Sequence, residues 1–215
     1  MATIEKLGPE AIVLWQTFIE KEQLTPLQAS QFEQYLGLLL EWNEKTNLTR
    51  ITDFPSIVAY HFQDSLRLGD FIDFSTIREA GDVGTGAGFP GIPLCIKYPH
   101  LRMMLLEVNL KKAAFLQEVI KELNLANCVV ETVDWRTFLR HTQYPIELFL
   151  ARASLQPEEL VRMFKPGSAY KGGQMVYFAS SYWHPGAAEK PYMVKMQEYH
   201  VGDQRRVYAF FKAME

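Results

Sequence analysis

Apolar residues recur at helical spacing through residues 1–75. A first stripe consists of Ala11, Leu14, Trp15, Phe18 and Ile19, and a second consists of Phe32, Tyr35, Leu36, Leu39 and Leu40. Thr25 before Pro26 marks the start of the second helix, because threonine caps helix N-termini and proline is favoured in the first turn. Asp53 before Pro55 starts a third helix, which ends around Gly69. This part of the chain is therefore predicted to be helical.

After residue 75, short apolar runs alternate with helical segments. Strands are predicted at 77–83, 102–108, 128–133, 146–151 and 168–179, with helices between them at 90–97, 111–124 and 157–164. Repeated strand–helix alternation indicates a doubly wound parallel sheet of the α/β class. The final runs, 192–201 and 206–212, leave no room for a helix and predict an antiparallel C-terminal hairpin at the sheet edge. We therefore predict an N-terminal helical segment over 1–75 and an α/β domain over 76–215.

The composition is that of an ordinary globular protein, with 215 residues, 48% hydrophobic and 22% charged. Disordered, collagen-like and disulfide-stabilised classes are thereby excluded. No apolar run approaches the roughly 20 residues of a membrane-spanning helix, and the N-terminus lacks the apolar core of a secretory signal. Cys95 and Cys128 stand outside any CxxC pair, which predicts a reducing compartment and no zinc or other metal site. We expect a cytoplasmic protein that does not contact membranes.

Charge is distributed unevenly along the chain, although the formal net charge is only −3. Residues 1–80 carry 6 Lys and Arg against 12 Asp and Glu, whereas residues 151–215 carry 9 against 6. This split permits a basic face on the second half of the chain. Scattered solvated lysines and arginines would give the same count.

A glycine-rich turn joins the first predicted strand to the first crossover helix. It reads DVGTGAGFPG over residues 82–91. A tight strand-to-helix turn needs residues without a Cβ and brings bare backbone close to a ligand. The spacing of Gly84, Gly86 and Gly88 differs from the GxGxxG of pyrophosphate-binding turns. Glycines at alternate positions leave a wide, flat backbone surface, which suits a nucleoside with a short aliphatic tail. The alternative is a tight turn in which the glycines serve packing alone.

Acidic residues end the next two predicted strands. Glu107 lies 23 residues after Gly84, where a carboxylate can accept hydrogen bonds from ribose hydroxyls, and the alternative is a solvated strand-end charge. Asp134 could meet an adenine amino group, or it could cap a helix that begins at Trp135. The Trp135 ring could pack on the adenine or in the core. Together with the glycine turn, Glu107 favours a nucleoside-binding site.

Several motifs occur in the order typical of one bacterial family. The glycine turn is preceded by LEWN at 40–43, NLT at 47–49 and HFQDS at 61–65, and it is followed by KK at 111–112, FLQE at 115–118 and RA at 152–153. Over approximately residues 32–172 the chain resembles the glucose-inhibited division protein B family, whose members methylate guanine N7 of small-subunit ribosomal RNA. The resemblance implies a Rossmann-like class I methyltransferase fold, S-adenosylmethionine as methyl donor, and ribosomal RNA or the small ribosomal subunit as partner.

The glycine turn, the strand-end acids and the resemblance together predict a set of cofactor-binding residues. They are Asp82, Gly84, Gly86, Gly88, Phe89, Glu107, Val108, Asn109, Asp134, Trp135, Arg136 and Arg152. The chain departs from the family where Trp135-Arg136 replaces a small residue followed by an acid, and where Ser154 replaces an apolar residue. These departures leave open a diverged or weakened enzyme.

Guanine N7 carries a lone pair and no proton, so its methylation needs no general base and no nucleophilic triad is expected. Asn47, His61 and Arg152 are candidates for the guanine site. Asn47 could instead turn the chain, and His61 could be a core or helix-surface histidine. Asp64 and Ser65 are expected to tie their helix to the cofactor loop. Candidates for RNA phosphate contacts, each of which could be a plain solvated charge, are Arg136, Arg140, Lys165, Lys171, Arg205 and Arg206.

Two other functions stay open at this point. A non-catalytic RNA- or ribosome-binding protein on the same scaffold is favoured by the departures at positions 135, 136 and 154. A nicotinamide-dependent oxidoreductase is disfavoured by the GxGxG spacing and by the FPG that follows it. Whichever of these functions the protein has, we expect it to be a monomer.

Overall fold

The computed structural model describes residues 2–214. Up to residue 70 the chain consists of helices and the short segments that connect them. The helices are α1 (Ala2–Glu5), α2 (Pro9–Lys21) and α3 (Pro26–Thr46). As predicted, Thr25 caps α3: the Thr25 hydroxyl and the Gln28 side chain each accept a hydrogen bond from the other residue's backbone N–H. The helix ends at Asn47, whose φ of 40° lies in the left-handed region.

The third predicted helix is present but changes its winding along its length. It starts as α4 (Phe54–Ile57), continues as a π-helix over Val58–Gln63, and ends as α5 (Asp64–Leu66) followed by a 3₁₀ turn over Arg67–Asp70. Asp53 caps it by accepting a hydrogen bond from the Ser56 backbone N–H. The sequence pattern could not reveal the π turns, because apolar residues at 58, 62 and 66 repeat every four residues and fit either winding.

The rest of the described residues form a seven-stranded sheet with crossover helices, which confirms the predicted α/β fold. The strands are β1 (Glu79–Val83), β2 (Arg102–Leu106), β3 (Cys128–Glu131), β4 (Leu148–Arg152), β5 (Gln174–Ser180), β6 (Met193–Val201) and β7 (Gln204–Lys212). The crossover helices are α6 (Gly91–Lys97), α7 (Leu110–Glu122), α8 (Trp135–His141) and α9 (Pro157–Leu160), and a 3₁₀ turn follows over Val161–Phe164.

The strand order is β3-β2-β1-β4-β5-β7-β6, with the first five strands parallel and β7 antiparallel to both of its neighbours. The predicted C-terminal hairpin is therefore present at one edge. The strand predicted at 168–179 starts late, at Gln174, because residues 168–173 make successive turns that end with the Gly173 N–H donating to the Tyr170 carbonyl. The C-terminal ends of all five parallel strands lie along the same side of the sheet, which we call its carboxyl edge.

The N-terminal helices share a hydrophobic core with one face of the sheet, while α8 and the 3₁₀ turn after α9 cover the other face. Phe62 of the π-helix is fully buried at the centre of the first core. Its ring centroid lies 5.0 Å from that of Phe32 and 6.2 Å from that of Phe89, which belongs to the glycine turn. In the described part of the chain, no helix is both long and apolar enough to cross a membrane.

We expect the Phe62→Ala substitution to lower the free energy of unfolding by about 3–5 kcal/mol, because it leaves a cavity between the helices and the sheet. Urea denaturation followed by circular dichroism would measure the loss, and both proteins should unfold in one transition because the core is continuous. Val13→Ala on α2 is the control, since Val13 is 62% exposed. Separate transitions for the helices and the sheet would contradict this account.

Candidate active site at the carboxyl edge of the sheet

The glycine turn after β1 has the geometry that its glycines predict. Gly84, Gly86 and Gly88 have φ values of 66°, 63° and 96°, a left-handed region that side chains disfavour. A Cβ on Gly84 would lie 2.6 Å from the Cβ of Ser154, so this glycine allows the loop after β4 to approach closely. Around Gly86, by contrast, no atom of the described residues would come within 4 Å of an added Cβ. The backbone at Gly86 therefore faces open space.

Asp82, at the end of β1, holds this turn in shape from inside the protein. Its carboxylate accepts hydrogen bonds from the Thr85 hydroxyl at 2.6 Å and from the Gly91 backbone N–H at 2.9 Å. Burial raises the pKa of Asp82 from 3.8 to about 6, although these two hydrogen bonds lower it. Asp82 is fully buried, and its partners are parts of the turn. Asp82 thus supports the turn, and a direct contact between Asp82 and a cofactor stays a prediction.

Glu107, directly after β2, reaches across to the same turn. One carboxylate oxygen accepts a hydrogen bond from the Gly86 N–H at 3.0 Å, and the other accepts one from the Asn109 N–H at 2.8 Å. Each carboxylate oxygen can accept two hydrogen bonds, so Glu107 keeps capacity for a further donor. The side chain is 7% exposed, and this exposed part borders a cavity at the carboxyl edge.

The cavity has a volume of about 370 Å³ and lies between the glycine turn, the end of β2, the loop after β4 and the π-helix. Its size falls in the range of small-molecule sites. Of the predicted site residues, its walls contain His61, Gly84, Gly86, Phe89, Glu107 and Arg152. Open backbone beside a carboxylate at the end of the second strand fits a ribose-containing ligand.

His61, from the π-helix, forms part of the wall next to Phe89. The two rings stack with centroids 4.3 Å apart and planes 13° apart. His61 Nδ1 lies 3.2 Å from an Arg152 guanidinium nitrogen, which can only donate, so Nδ1 is unprotonated. The proton therefore sits on Nε2 and is donated to the Thr49 hydroxyl at 2.9 Å. Burial, followed by the nearby Arg152 charge, lowers the pKa of His61 from 6.5 to about 3.

Arg152, at the end of β4, is held in place by a fully buried carboxylate. Its guanidinium donates to Asp64 Oδ2 at 2.9 Å and to the Tyr60 carbonyl at 3.0 Å. Asp64 also accepts hydrogen bonds from Arg206 at 3.1 Å and from the Tyr199 hydroxyl at 2.8 Å. We call Asp64, Arg152, Arg206 and Tyr199 the Asp64 cluster. It joins the helix of residues 54–70 to β4, β6 and β7, whereas the expected tie was to the glycine turn. The Ser65 hydroxyl donates within its own helix, to the His61 carbonyl at 2.6 Å.

Of the three candidates for adenine contacts, Asp134 caps α8, whereas Trp135 and Arg136 link α8 to α9. Asp134 caps α8 by accepting hydrogen bonds from the backbone N–H groups of Arg136 and Thr137. Trp135 is 4% exposed, and its indole N–H donates to the Glu159 carbonyl at 2.9 Å. Arg136 makes two hydrogen bonds to the Glu159 carboxylate, at 2.8 and 2.9 Å. In the structure these residues therefore have partners within the protein, and contacts of Asp134, Trp135 and Arg136 with adenine stay a prediction.

The remaining predicted residues are Asn47, Gly88, Val108 and Asn109, which lie near the cavity in the elements and turns around it. The Asn109 side chain caps α7, and Asn47 supplies the left-handed turn after α3. Gly88 is packed so closely that an added Cβ would lie 2.7 Å from Ile92. Val108 is 60% exposed beside Glu107. Asn47, Gly88 and Asn109 therefore have local structural reasons for their residue types, and the structure offers none for Val108.

Several residues that line the cavity were not among the predicted site residues, and Thr49, Lys112 and Ala153 are examples. Thr49 belongs to the NLT motif, but only the fold reveals that its hydroxyl is the partner of His61. Ala153 has a φ of 51°, a strained value for a residue with a side chain. Nothing in the sequence pattern signals this backbone conformation.

Comparisons with known proteins identify relatives of the chain. The family model described as rRNA small subunit methyltransferase G matches residues 28–201. A protein named ribosomal RNA small subunit methyltransferase G from Geobacillus kaustophilus is 39% identical over 156 residues, which cover 71% of this chain and 66% of that protein. The protein of the same name from Bacillus pumilus is 47% identical over 102 residues, 47% of this chain and 43% of that protein. The matched part thus spans less than two thirds of these relatives.

Solved structures share the fold at low sequence identity. MtNAS in a mutant form with S-adenosylmethionine aligns with a TM-score of 0.58 at 13% identity, covering 93% of this chain and 84% of that one. An S-adenosylmethionine-dependent O-methyltransferase from Thermotoga maritima aligns with a TM-score of 0.55 at 11% identity, covering 82% and 72%. These similarities establish the class I methyltransferase fold.

We expect protein stability to fall between pH 7.5 and pH 5.5 partly because His61 resists protonation in the folded state. The pKa of His61 is lower in the folded than in the unfolded protein, so the unfolded protein binds the extra proton between about pH 6.5 and 3. The contribution is complete above pH 6.5 and is lost as the pH falls, by about 1 kcal/mol at pH 5.5.

Urea denaturation of the wild type and His61→Asn at both pH values would measure this effect, because the variant should lose less stability than the wild type. Asp82 acts with the opposite sign in both proteins, so the comparison isolates His61. His200→Asn, which changes an exposed histidine of β6, should retain the wild-type dependence. Equal pH dependence in the wild type and His61→Asn would refute the neutral, buried ring.

Proposed function

The chain belongs to the glucose-inhibited division protein B family of small-subunit rRNA methyltransferases, and we propose that it methylates guanine N7 of that RNA with S-adenosylmethionine as methyl donor. The observation that carries the proposal is the meeting of open backbone at Gly86 with the Glu107 carboxylate at the edge of the sheet. In this proposal Glu107 accepts hydrogen bonds from the ribose hydroxyls, while Gly84, Gly86 and Phe89 border the cofactor.

The cofactor supplies a methyl group on a positively charged sulfur. The guanine N7 lone pair forms a bond to the methyl carbon as the carbon–sulfur bond breaks, so the positive charge passes to the purine and no proton is transferred. The contribution of the protein is therefore to hold the reacting atoms in line. His61 suits this passive role, because its pKa of about 3 keeps the ring neutral at physiological pH.

Arg152 and His61 give the site a fixed wall rather than an acid or a base. Asp64 and the Tyr60 carbonyl hold the Arg152 guanidinium, and Phe89 supports the His61 ring. Both side chains are largely buried, so their positions are set before any substrate arrives. We propose that they contact the target guanine, which must leave its stacked position to reach the methyl group. An rRNA substrate also implies that the protein works in the cytoplasm.

Transfer of a labelled methyl group to small ribosomal subunits, and separately to the naked RNA, tests this function. The subunits should come from a strain that lacks the protein, and the product nucleosides should be analysed by mass spectrometry. We expect label in 7-methylguanosine. Binding to the particle without methyl transfer would instead support the non-catalytic alternative, and label in another nucleoside would overturn the N7 assignment.

The Glu107→Gln substitution should weaken S-adenosylmethionine binding by about 10- to 100-fold, which corresponds to one lost hydrogen bond to a charged group. Isothermal titration calorimetry would measure the dissociation constant. Glu79→Gln is a matched control, because Glu79 lies at the opposite end of the neighbouring strand β1 and pairs with Arg102. Equal affinities in the wild type and Glu107→Gln would remove Glu107 from the cofactor site.

A further inference from the structure

A second cavity of about 600 Å³ lies beside the first, and Arg152 and Ala153 border both. It is formed by the C-terminal ends of β4 and β5 and by the first residues of β7. Because β7 is antiparallel to β5, with Arg206 paired to Ser180, its start lies at the same edge as the glycine turn. The two cavities are therefore neighbours along one edge of the sheet.

Aromatic side chains distinguish this second cavity from the first. Tyr182, in the turn after β5, is 87% exposed. Trp183 is half-buried, with its ring 5.6 Å from that of Tyr177 and 6.2 Å from that of Phe211. The cavity thus combines a supported indole with a tyrosine ring that is free to contact a ligand. Such rings bind unstacked bases, because every base offers a flat π face.

Guanidinium groups provide the charge of the same cavity. Arg206 belongs to the Asp64 cluster, whereas the Arg205 side chain is 51% exposed. The ion pair of Arg205 with Glu198 is long, at 3.6 Å, and the Glu198 side chain is 60% exposed. A solvent-exposed pair of this kind contributes little stability, so Arg205 can exchange its carboxylate for a phosphate.

We propose that this second cavity binds the unpaired stretch of RNA that presents the target guanine, with a base stacked on Tyr182 and Trp183 and its phosphate on Arg205. The inference rests on the proposed function and adds the position of the RNA next to the cofactor cavity. Single-stranded RNA fits both features, since exposed bases stack on aromatic rings and phosphates pair with arginine. The sequence offered Arg205 only as one of six candidate phosphate contacts, and the structure places it in the same cavity as Tyr182 and Trp183.

Fluorescence anisotropy with a labelled single-stranded RNA of about ten nucleotides tests the proposal without requiring catalysis. Tyr182→Ala should weaken binding about tenfold, the effect expected for one lost stacking contact, whereas Tyr182→Phe should retain wild-type affinity. Arg205→Gln should reduce the slope of log affinity against log salt by about one, because one phosphate contact is lost. Arg102→Gln is the matched control at the opposite edge of the sheet and should change neither value.

Steady-state methylation adds a second readout. Tyr182→Ala should raise the KM for RNA while the affinity for S-adenosylmethionine stays at the wild-type value. Unchanged RNA binding in both Tyr182→Ala and Arg205→Gln would overturn the inference, as would equal binding of a duplex of the same sequence. If Tyr182-dependent binding is found but no methyl transfer, the proposed function fails and the RNA site stands. If methyl transfer occurs and Tyr182→Ala leaves the KM for RNA unchanged, the RNA site fails and the proposed function stands.

Discussion

The arrangement of the site depends on one buried carboxylate. Asp64 is fully buried, and it accepts hydrogen bonds from Arg152 at the end of β4, from Arg206 near the start of β7 and from Tyr199 of β6. A buried charge without partners would cost several kcal/mol. The Asp64 carboxylate is therefore stabilised only when the helix of residues 54–70 and these three strands take the relative positions seen in the structure.

This constraint extends from the Asp64 cluster into both cavities. Arg152 keeps its guanidinium over the Phe89 ring, 5.2 Å from the centroid, and its second nitrogen makes His61 Nδ1 an acceptor. The tautomer of His61 and its bond to Thr49 follow from that contact. A neutral ring and a paired guanidinium make a rigid wall, which suits a reaction that requires alignment and no proton transfer.

The features that could be predicted from the sequence are those encoded by neighbouring residues. Strand–helix alternation predicted the sheet, and the glycine spacing with Glu107 predicted the first cavity. The Asp64 cluster could not be predicted from local pattern, because Asp64 and Arg206 are 142 residues apart. Asp134 had two local interpretations, and in the structure its carboxylate caps α8. The packing of α9 against α8 joins residues 24 positions apart, which local pattern does not reveal. The same packing explains Trp135, which had suggested a weakened enzyme, since Glu159 accepts its indole N–H.

The sequence offered both Arg205 and Arg206 as phosphate contacts but could not distinguish their roles. Consecutive residues of a strand point to opposite sides, so the two arginines meet different surroundings. Arg206 reaches the buried Asp64 carboxylate, whereas Arg205 lies at the surface, where it pairs with the Glu198 carboxylate at 3.6 Å. The two adjacent arginines, which in the sequence suggest one basic patch, therefore have different roles: Arg206 stabilises the fold and Arg205 faces solvent. Strand β7 thus helps to fix Arg152 in the wall of the first cavity through Arg206 and Asp64, and it also carries Arg205, for which we propose an RNA contact.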